Sequence, residues 1–160
     1  QKNVYGEKKG NLVVKSSNLR SINCPASIAA KMIDEYPIAM LCAAKAKGTS
    51  NFYGLEELNK KESKRLNVCN KFLNQIGIKT KLGKDKIKIF GNPDLQINKS
   101  YTIKTYKDHR IAKMAFVAGQ VFVSKGTLKI KNFENVNTSF PDFLKIMKKL
   151  NCKYEIKKKN

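Results

Sequence analysis

The chain has 160 residues, enough to bury one moderate hydrophobic core, so a second large domain is excluded. No apolar run approaches the ~20 residues of a membrane-spanning helix, and no charged-then-apolar leader is visible, which excludes a membrane-inserted class. A net charge of +21 would favour nucleic-acid binding, but the lysines spread along the whole chain, which indicates a solvated surface instead.

The first residues are typical of a β-strand. Residues 1–15 have a strand-like sequence, and the apolar run at 11–14 follows a turn at Gly10. Because this sequence starts at Gln1 rather than at a methionine, we expect the chain to lack the beginning of a longer protein.

The middle of the chain predicts alternating helices and strands. Pro37 opens an alanine-rich apolar stretch that Gly48 closes, which predicts a buried helix over 38–47. Three further elements follow from alternating or three-and-four spacing of apolar residues: a strand at 49–53, an amphipathic helix at 62–76 and a hairpin at 78–89.

The second half repeats this order of elements. It predicts strands at 101–104, 127–131 and 152–156, with helices at about 108–118 and 141–150 between them. The repetition indicates an α/β fold (α+β) with an internal repeat. We expect one partial domain over residues 1–160, with units at about 10–98 and 99–160.

The cysteines and the single histidine give no metal-binding pattern. Cys24, Cys42, Cys69 and Cys152 form no CxxC pair, and three of them lie in apolar stretches. This is typical of small reduced core residues in a cytosolic protein. His109 is the only histidine, so we predict no metal site.

Two segments combine acidic and basic side chains just before predicted helices. Asp34 could cap the buried helix, or desolvation beside that helix could make it a proton acceptor. Lys61 and Arg65 would lie one helical turn apart, with Glu62 beside Arg65. The alternative there is an exposed helix start with weak surface ion pairs.

A third segment, Asp108-His109-Arg110, opens a helix. Backbone N–H groups and the helix dipole favour an anion at that end, and Arg110 could hold it with two hydrogen bonds. The alternative is Asp108 as a cap and Arg110 as a surface charge. The only arginines are Arg20, Arg65 and Arg110, and their scarcity among lysines favours phosphate or carboxylate binding at these segments.

Five motifs follow one another along the chain: Ile33-Asp34-Glu35-Tyr36-Pro37 with Ala46-Lys47-Gly48-Thr49, Gly54-Leu55-Glu56-Glu57-Leu58, Lys61-Glu62-Ser63 with Arg65, Asp108-His109-Arg110-Ile111-Ala112, and Thr138-Ser139-Phe140-Pro141. In this order and spacing they resemble the EPSP synthase family (3-phosphoshikimate 1-carboxyvinyltransferase). The resemblance runs from about residue 10 to the end.

The resemblance implies a fold of two similar domains, built from βαβαββ units around buried helices, that close over substrate. This chain would be most of the domain that carries the C-terminus, without its first unit and without the other domain. The implied reaction is transfer of the enolpyruvyl group of phosphoenolpyruvate to the 5-hydroxyl of shikimate 3-phosphate, in the cytoplasm. It implies no metal or organic cofactor, and no nucleic-acid or membrane partner.

The resemblance also implies roles for single residues. Asp34 would take the proton of the attacking hydroxyl, and Glu62 would move the proton at the phosphoenolpyruvate methylene. The substrate contacts would be Asp34 and Lys61 for shikimate 3-phosphate, and Arg65, His109 and Arg110 for phosphoenolpyruvate.

Three positions depart from the family pattern. Lys64 stands where the family usually has an acid, and Lys113 where an apolar residue is usual. Thr138 replaces a lysine that some members have, so we assign no phosphoenolpyruvate contact to it.

Two alternatives remain. A UDP-N-acetylglucosamine enolpyruvyl transferase would share the architecture, but the combination of segments 61–65 and 108–110 favours EPSP synthase. A basic nucleic-acid-binding module would need lysines clustered on one face with aromatic residues between them. On its own the chain is expected to bind anions weakly and to be inactive, because closure of two domains normally completes such a site.

Overall fold

The structure is a computed structural model that describes residues 2–4 and 7–157, a mixture of helices and sheets. Its strands are β1 (Lys2–Val4), β2 (Glu7–Lys9), β3 (Asn23–Cys24), β4 (Gly48–Phe52), β5 (Thr80–Leu82), β6 (Ile87–Gly91), β7 (Ser100–Lys104) and β8 (Thr127–Lys131). Its α-helices are α1 (Ala29–Met32), α2 (Tyr36–Lys45), α3 (Arg65–Gln75), α4 (His109–Phe122), α5 (Val136–Ser139) and α6 (Phe143–Lys149).

The first half of the chain forms a four-stranded sheet in the order β3-β4-β6-β5. β3 runs parallel to β4, and β6 is antiparallel to both β4 and β5. Burial alternates along β6, so Ile87 and Ile89 face the core while Lys88 faces solvent. The hairpin predicted at 78–89 is therefore confirmed, and the sheet has one apolar face on which helices pack.

Helix α2 lies in the core against this sheet. Tyr36 and Met40 are fully buried, as the alanine-rich sequence predicted for a helix at 38–47. The sheet approaches the end of α2 closely, because a Cβ added at Gly91 would lie 2.0 Å from the carbonyl oxygen of Ala46. Only glycine fits at that contact.

The second half contains a parallel pair of strands with a helix between them. β7 and β8 are in register with Ile103 opposite Ile130, and α4 connects them along the chain and packs on β8. The same plan links β3 to β4 through α1 and α2. This agreement supports the internal repeat, while the unit boundaries near residues 98 and 99 remain a prediction.

Two predicted strands are wrong. Residues 11–14 form no strand, and Leu12 and Val14 are largely exposed; the pairing predicted for 1–15 occurs instead in the antiparallel β1–β2 hairpin. Residues 152–156 likewise pair with no strand of the described chain. Both segments have strand-like sequences, but a strand needs a partner along its backbone.

The bounds of four helices also differ from the prediction. α2 spans Tyr36–Lys45 rather than 38–47. α3 begins at Arg65 rather than at residue 62, and α4 continues to Phe122 rather than ending near residue 118. The helix predicted at 141–150 is reduced to α6, with the short α5 before it.

The core consists of a large cluster beneath the four-stranded sheet and a smaller one between α4 and α6. All four cysteines are free; Cys24 and Cys69 are buried, Cys152 is half-buried and Cys42 is exposed. Within the described ranges, none of the helices has the length and apolar character needed to cross a membrane.

Candidate active site

Three segments that are distant in sequence meet at one end of the packed helices. They are the turn between α1 and α2, the irregular residues 61–64 before α3, and the start of α4. α2, α3 and α4 pack against one another, so their N-terminal ends are brought close together. The charged residues singled out from the sequence lie on these three segments.

Arg65 and Asp108 form the buried centre of the cluster. Arg65 is 1% exposed and Asp108 is fully buried. The Arg65 Nε and Nη2 atoms donate to the two carboxylate oxygens of Asp108, at 2.9 and 3.3 Å, and the Ser63 hydroxyl donates to Oδ2 at 2.8 Å. This is a bidentate, charge-assisted pair that fixes the plane of the guanidinium.

The protonation states of this pair are held by the contacts. Burial alone would raise the pKa of Asp108, but hydrogen bonds from Arg65 and Ser63 outweigh burial and hold that pKa below its ordinary value. Burial opposes the charge on Arg65 too, yet hydrogen bonding to Asp108 raises the Arg65 pKa. Both groups are therefore charged at neutral pH.

Asp108 also caps helix α4. Its Oδ1 atom accepts hydrogen bonds from the backbone N–H groups of Arg110 at 2.9 Å and Ile111 at 3.4 Å. One carboxylate thus fixes both the start of α4 and the guanidinium of Arg65. From the sequence, only the capping role of Asp108 is predicted. Its contact with Arg65 links two segments 43 residues apart, which no local pattern indicates.

Asp34 accepts contacts from three cations. Its oxygens lie 2.9 Å from Arg65 Nη1, 3.7 Å from Arg110 Nη2 and 4.0 Å from Lys61 Nζ. The cap interpretation is wrong, because α2 begins at Tyr36 and has no side-chain cap. The expected desolvation is also absent, since the Asp34 side chain is 45% exposed and so open to a ligand.

Glu62 pairs with His109 across the cluster. The His109 Nδ1 atom lies 2.9 Å from Glu62 Oε2, and Arg65 Nη2 lies 3.8 Å from the same oxygen. His109 is only 15% exposed, whereas the Glu62 side chain is 45% exposed. The Glu62 carboxylate is therefore partly open to solvent, and the more buried imidazole of His109 contacts it from the protein side.

Arg110 reaches the turn before α2. Its Nη1 atom donates to Glu35 Oε1 at 2.6 Å and to the backbone oxygen of Asp34 at 3.1 Å. Its Nε atom is buried and has no hydrogen-bond partner among the described residues. Glu35 was not singled out from the sequence as a site residue, although it lies next to Asp34.

The segment before α3 is not helical. Lys61 follows a 3-10 turn over Glu56–Lys60, and the chain from 61 to 64 is irregular. The expectation that Lys61 and Arg65 lie one helical turn apart is therefore wrong. They approach each other instead because both turn toward Asp34.

Glu62, Asp108 and His109 offer possible metal-ligand atoms within 4.8 Å of one another. The carboxylate of Asp108 is already occupied by the Arg65 guanidinium, the Ser63 hydroxyl and two backbone N–H groups. A cation there would have to displace a buried guanidinium, so these residues do not fit a metal ion.

The remaining singled-out residues lie elsewhere or at the edge of the cluster. Lys64 is exposed at the start of α3, and Arg20 is exposed far from the three segments in sequence. Thr138 lies on α5 and donates to the backbone oxygen of Asn135 at 2.8 Å, which uses its hydroxyl within its own turn. Lys113 is partly buried, one turn into α4.

The fold and the cluster together define an α/β protein that gathers guanidinium, ammonium and carboxylate groups at helix starts, a site suited to a small, multiply charged anion. The chain belongs to the EPSP synthase (3-phosphoshikimate 1-carboxyvinyltransferase) family, whose model matches residues 2–147.

Curated relatives and solved structures agree with this family. The chain is 38% identical over 150 residues to a 3-phosphoshikimate 1-carboxyvinyltransferase of Chelativorans sp. (strain BNC1), covering 94% of this chain and 33% of that protein. It is 38% identical over 156 residues to the one of Zymomonas mobilis subsp. mobilis, covering 96% and 34%. An EPSP synthase structure from Acinetobacter baumannii superposes with a TM-score of 0.79 at 30% identity, covering 88% of this chain and 32% of that one. The chain thus spans about a third of the length of the relatives it matches.

Proposed function

We propose that this chain supplies part of the active site of an enzyme that transfers the enolpyruvyl group of phosphoenolpyruvate to the 5-hydroxyl of shikimate 3-phosphate. The observation that carries the proposal is the convergence of Asp34, Lys61, Glu62, Arg65 and Arg110 from three separate segments. Because the chain is a third of its relatives' length, the activity is proposed for a longer protein that includes a second, closing domain.

Arg65 and Arg110 hold the phosphate and the carboxylate of phosphoenolpyruvate. Asp108 orients the guanidinium of Arg65 from the interior, and the other edge of that guanidinium points to the half-exposed carboxylates of Asp34 and Glu62. Arg110 still has a free Nε donor among the described residues. An anion would therefore take the place of Asp34 or Glu62 at the open edge of Arg65, while it would meet Arg110 at its exposed part, since that side chain is 26% exposed.

The first chemical step is addition. The 5-hydroxyl oxygen of shikimate 3-phosphate forms a bond to C2 of phosphoenolpyruvate, and its proton passes to Asp34. Glu62, in its protonated form, gives a proton to the methylene carbon C3, so that C2 becomes a tetrahedral centre carrying the phosphate. Lys61, 4.0 Å from Asp34, holds the shikimate substrate beside that base.

The second step is elimination. The bond between C2 and the phosphate oxygen breaks, and the Glu62 carboxylate takes a proton back from the C3 methyl group. The double bond between C2 and C3 is restored. The phosphate leaves with the bonding electrons and takes the proton that Asp34 accepted in the first step, which returns Asp34 to its carboxylate form. His109 lies behind Glu62 at 2.9 Å and keeps its carboxylate directed at this carbon.

The proposed setting is the cytoplasm, where both phosphorylated substrates would be available and where free thiols such as the four cysteines persist. The partners are phosphoenolpyruvate, shikimate 3-phosphate and the second domain of the same protein. The chain alone is expected to bind anions weakly and to be inactive, since domain closure excludes water.

The test measures enolpyruvyl transfer by the longer protein that contains this chain and a second domain. Asp34→Asn is expected to lower kcat by about 100-fold or more, because general-base catalysis contributes at least that factor. Arg110→Ala is expected to raise KM for phosphoenolpyruvate. Arg20→Ala, the third arginine, serves as the matched control and keeps the wild-type constants. Wild-type rates in both site variants would refute the assignment.

The same preparation tests the two alternative functions, a UDP-N-acetylglucosamine enolpyruvyl transferase and a nucleic-acid-binding module. Transfer to UDP-N-acetylglucosamine but not to shikimate 3-phosphate would show that the acceptor is the UDP-sugar and that the reaction is still enolpyruvyl transfer. A nucleic-acid module would bind single strands with an affinity that falls steeply with salt, and Asp34→Asn would not weaken that binding.

A further inference from the structure

Lys113 lies beside the anion site on helix α4. It follows His109 by four residues and Arg110 by three, so the three side chains share one face of the helix. It is partly buried on a helix whose other inward positions are apolar.

Charged residues from all three segments of the site affect the pKa of Lys113. Arg110 is on α4, the helix that also carries Lys113. Glu62 is on the segment before α3, Arg65 is the first residue of α3, and Glu35 is on the turn before α2. Burial and the neighbouring charge of Arg110 lower the pKa of Lys113, while Glu35 and Glu62 act in the opposite direction.

The other cations of the site already have carboxylate partners. Arg65 is bound by Asp108, Arg110 by Glu35, and Lys61 lies 4.0 Å from Asp34. In the part of the chain that the structure describes, no carboxylate lies within 4.0 Å of the Lys113 ammonium. A partly buried ammonium without a counter-ion, next to a guanidinium, is unfavourable by itself.

A bound anion would supply the missing counter-ion. The neighbouring side chain of Arg110 has a buried Nε donor that also lacks a partner among the described residues. Arg110, whose Nε atom lacks a partner, and Lys113 thus lie one turn apart on the same helix face, beside the half-exposed carboxylates of Asp34 and Glu62. An anion bound between these two side chains would be a counter-ion for both.

We propose that Lys113 is an additional binding residue for phosphoenolpyruvate, contacting the same anionic group as Arg110. The proposal rests on the proposed function for the identity of the substrate. It assigns Lys113 to binding rather than to proton transfer.

The experiment uses the longer protein with both domains and compares Lys113→Met, which keeps an unbranched side chain without the charge, with Lys113→Arg, which keeps the charge. Lys148→Met, at an exposed lysine of α6, is the matched control. Lys113→Met is expected to raise KM for phosphoenolpyruvate by about tenfold, the factor that corresponds to loss of one charge-assisted hydrogen bond. Lys113→Arg should restore most of that loss, and KM for shikimate 3-phosphate should not change.

An unchanged KM for phosphoenolpyruvate in Lys113→Met, or an equal rise in both KM values, would overturn the proposal. A second measurement keeps it testable if the protein shows no enolpyruvyl transfer. Calorimetric titration with inorganic phosphate should then give weaker binding for Lys113→Met than for wild type, Lys113→Arg and Lys148→Met. Weaker binding without transfer would mean that the anion site is right and the proposed reaction is wrong, whereas equal binding would refute the role of Lys113.

Discussion

The guanidinium of Arg65 and the carboxylate of Asp108 form a bidentate pair in the protein interior, with Nε 2.9 Å from Oδ2 and Nη2 3.3 Å from Oδ1. The pair joins the first residue of α3 to the cap of α4. The pair therefore fixes the positions of the two helix starts relative to each other. It also fixes the position of Arg110, which lies two residues after the cap.

Asp108→Asn is expected to lower the free energy of unfolding by about 3 kcal/mol, because it leaves the buried Arg65 charge without its counter-ion. Asparagine keeps the shape and can still cap α4, so the loss reports the ion pair. Urea denaturation followed by circular dichroism measures it. Ser63→Ala removes one hydrogen bond to the same oxygen and should cost only about 1 kcal/mol. An equal loss in the two variants would contradict the prediction.

Stability should fall in acid, partly because of Asp108. Its pKa in the folded chain lies below the ordinary value of about 3.9, so the unfolded chain binds a proton first as the pH falls. The stabilisation is complete above about pH 5, begins to fall as the pH nears the unfolded-state pKa, and is lost as the pH drops through the lower, folded-state pKa. Chemical denaturation at a series of pH values should show a shallower acid slope in Asp108→Asn than in wild type. Parallel slopes would show that Asp108 keeps its ordinary pKa.

Lys64→Asp is expected to stabilise the chain by about 1 kcal/mol. Lys64 occupies the cap position of α3, makes no capping hydrogen bond and places a positive charge at the positive end of the helix dipole. Lys64→Ala removes the positive charge without adding a capping group, so it separates the effect of the charge from the effect of the cap. The melting temperatures should rise in the order wild type, Lys64→Ala, Lys64→Asp, and a destabilised Lys64→Asp would disprove the capping argument.

Two glycines should respond in opposite directions to alanine. At Gly91 a Cβ would lie 2.0 Å from the carbonyl oxygen of Ala46, so Gly91→Ala must force β6 away from α2 and cost about 3 kcal/mol. At Gly119, within α4, a Cβ would meet no atom within 4 Å, so Gly119→Ala should add up to about 1 kcal/mol of helix stability. Equal effects in thermal unfolding would mean that the approach of sheet and helix is not tight.

Local patterns predicted most of the elements correctly. The strand predicted at 127–131 has those bounds in β8, and the buried helix predicted at 38–47 is α2. These elements are defined by side-chain periodicity and by proline or glycine at their ends, which are local properties of the sequence. The strands predicted at 11–14 and 152–156 fail because pairing depends on another segment, which periodicity does not specify.

The start of α3 shows how tertiary contacts override a local pattern. The sequence predicts a helix from residue 62, yet Glu62 turns to His109 and Ser63 turns to Asp108. Contacts with a buried carboxylate are worth more than the few tenths of a kcal/mol that separate helix propensities of ordinary residues. The helix therefore begins only at Arg65.

The sequence by itself determined the family, the α/β class and which charged residues to examine, because motif spacing and amphipathic periods are recorded in the order of residues. The tertiary structure decided what those charges do to one another. It made Asp108 the shared partner of a helix start and of Arg65, and it left Asp34 half exposed beside three cations. Those relations depend on distances between segments that are far apart in the sequence, and such distances exist only after the helices have packed.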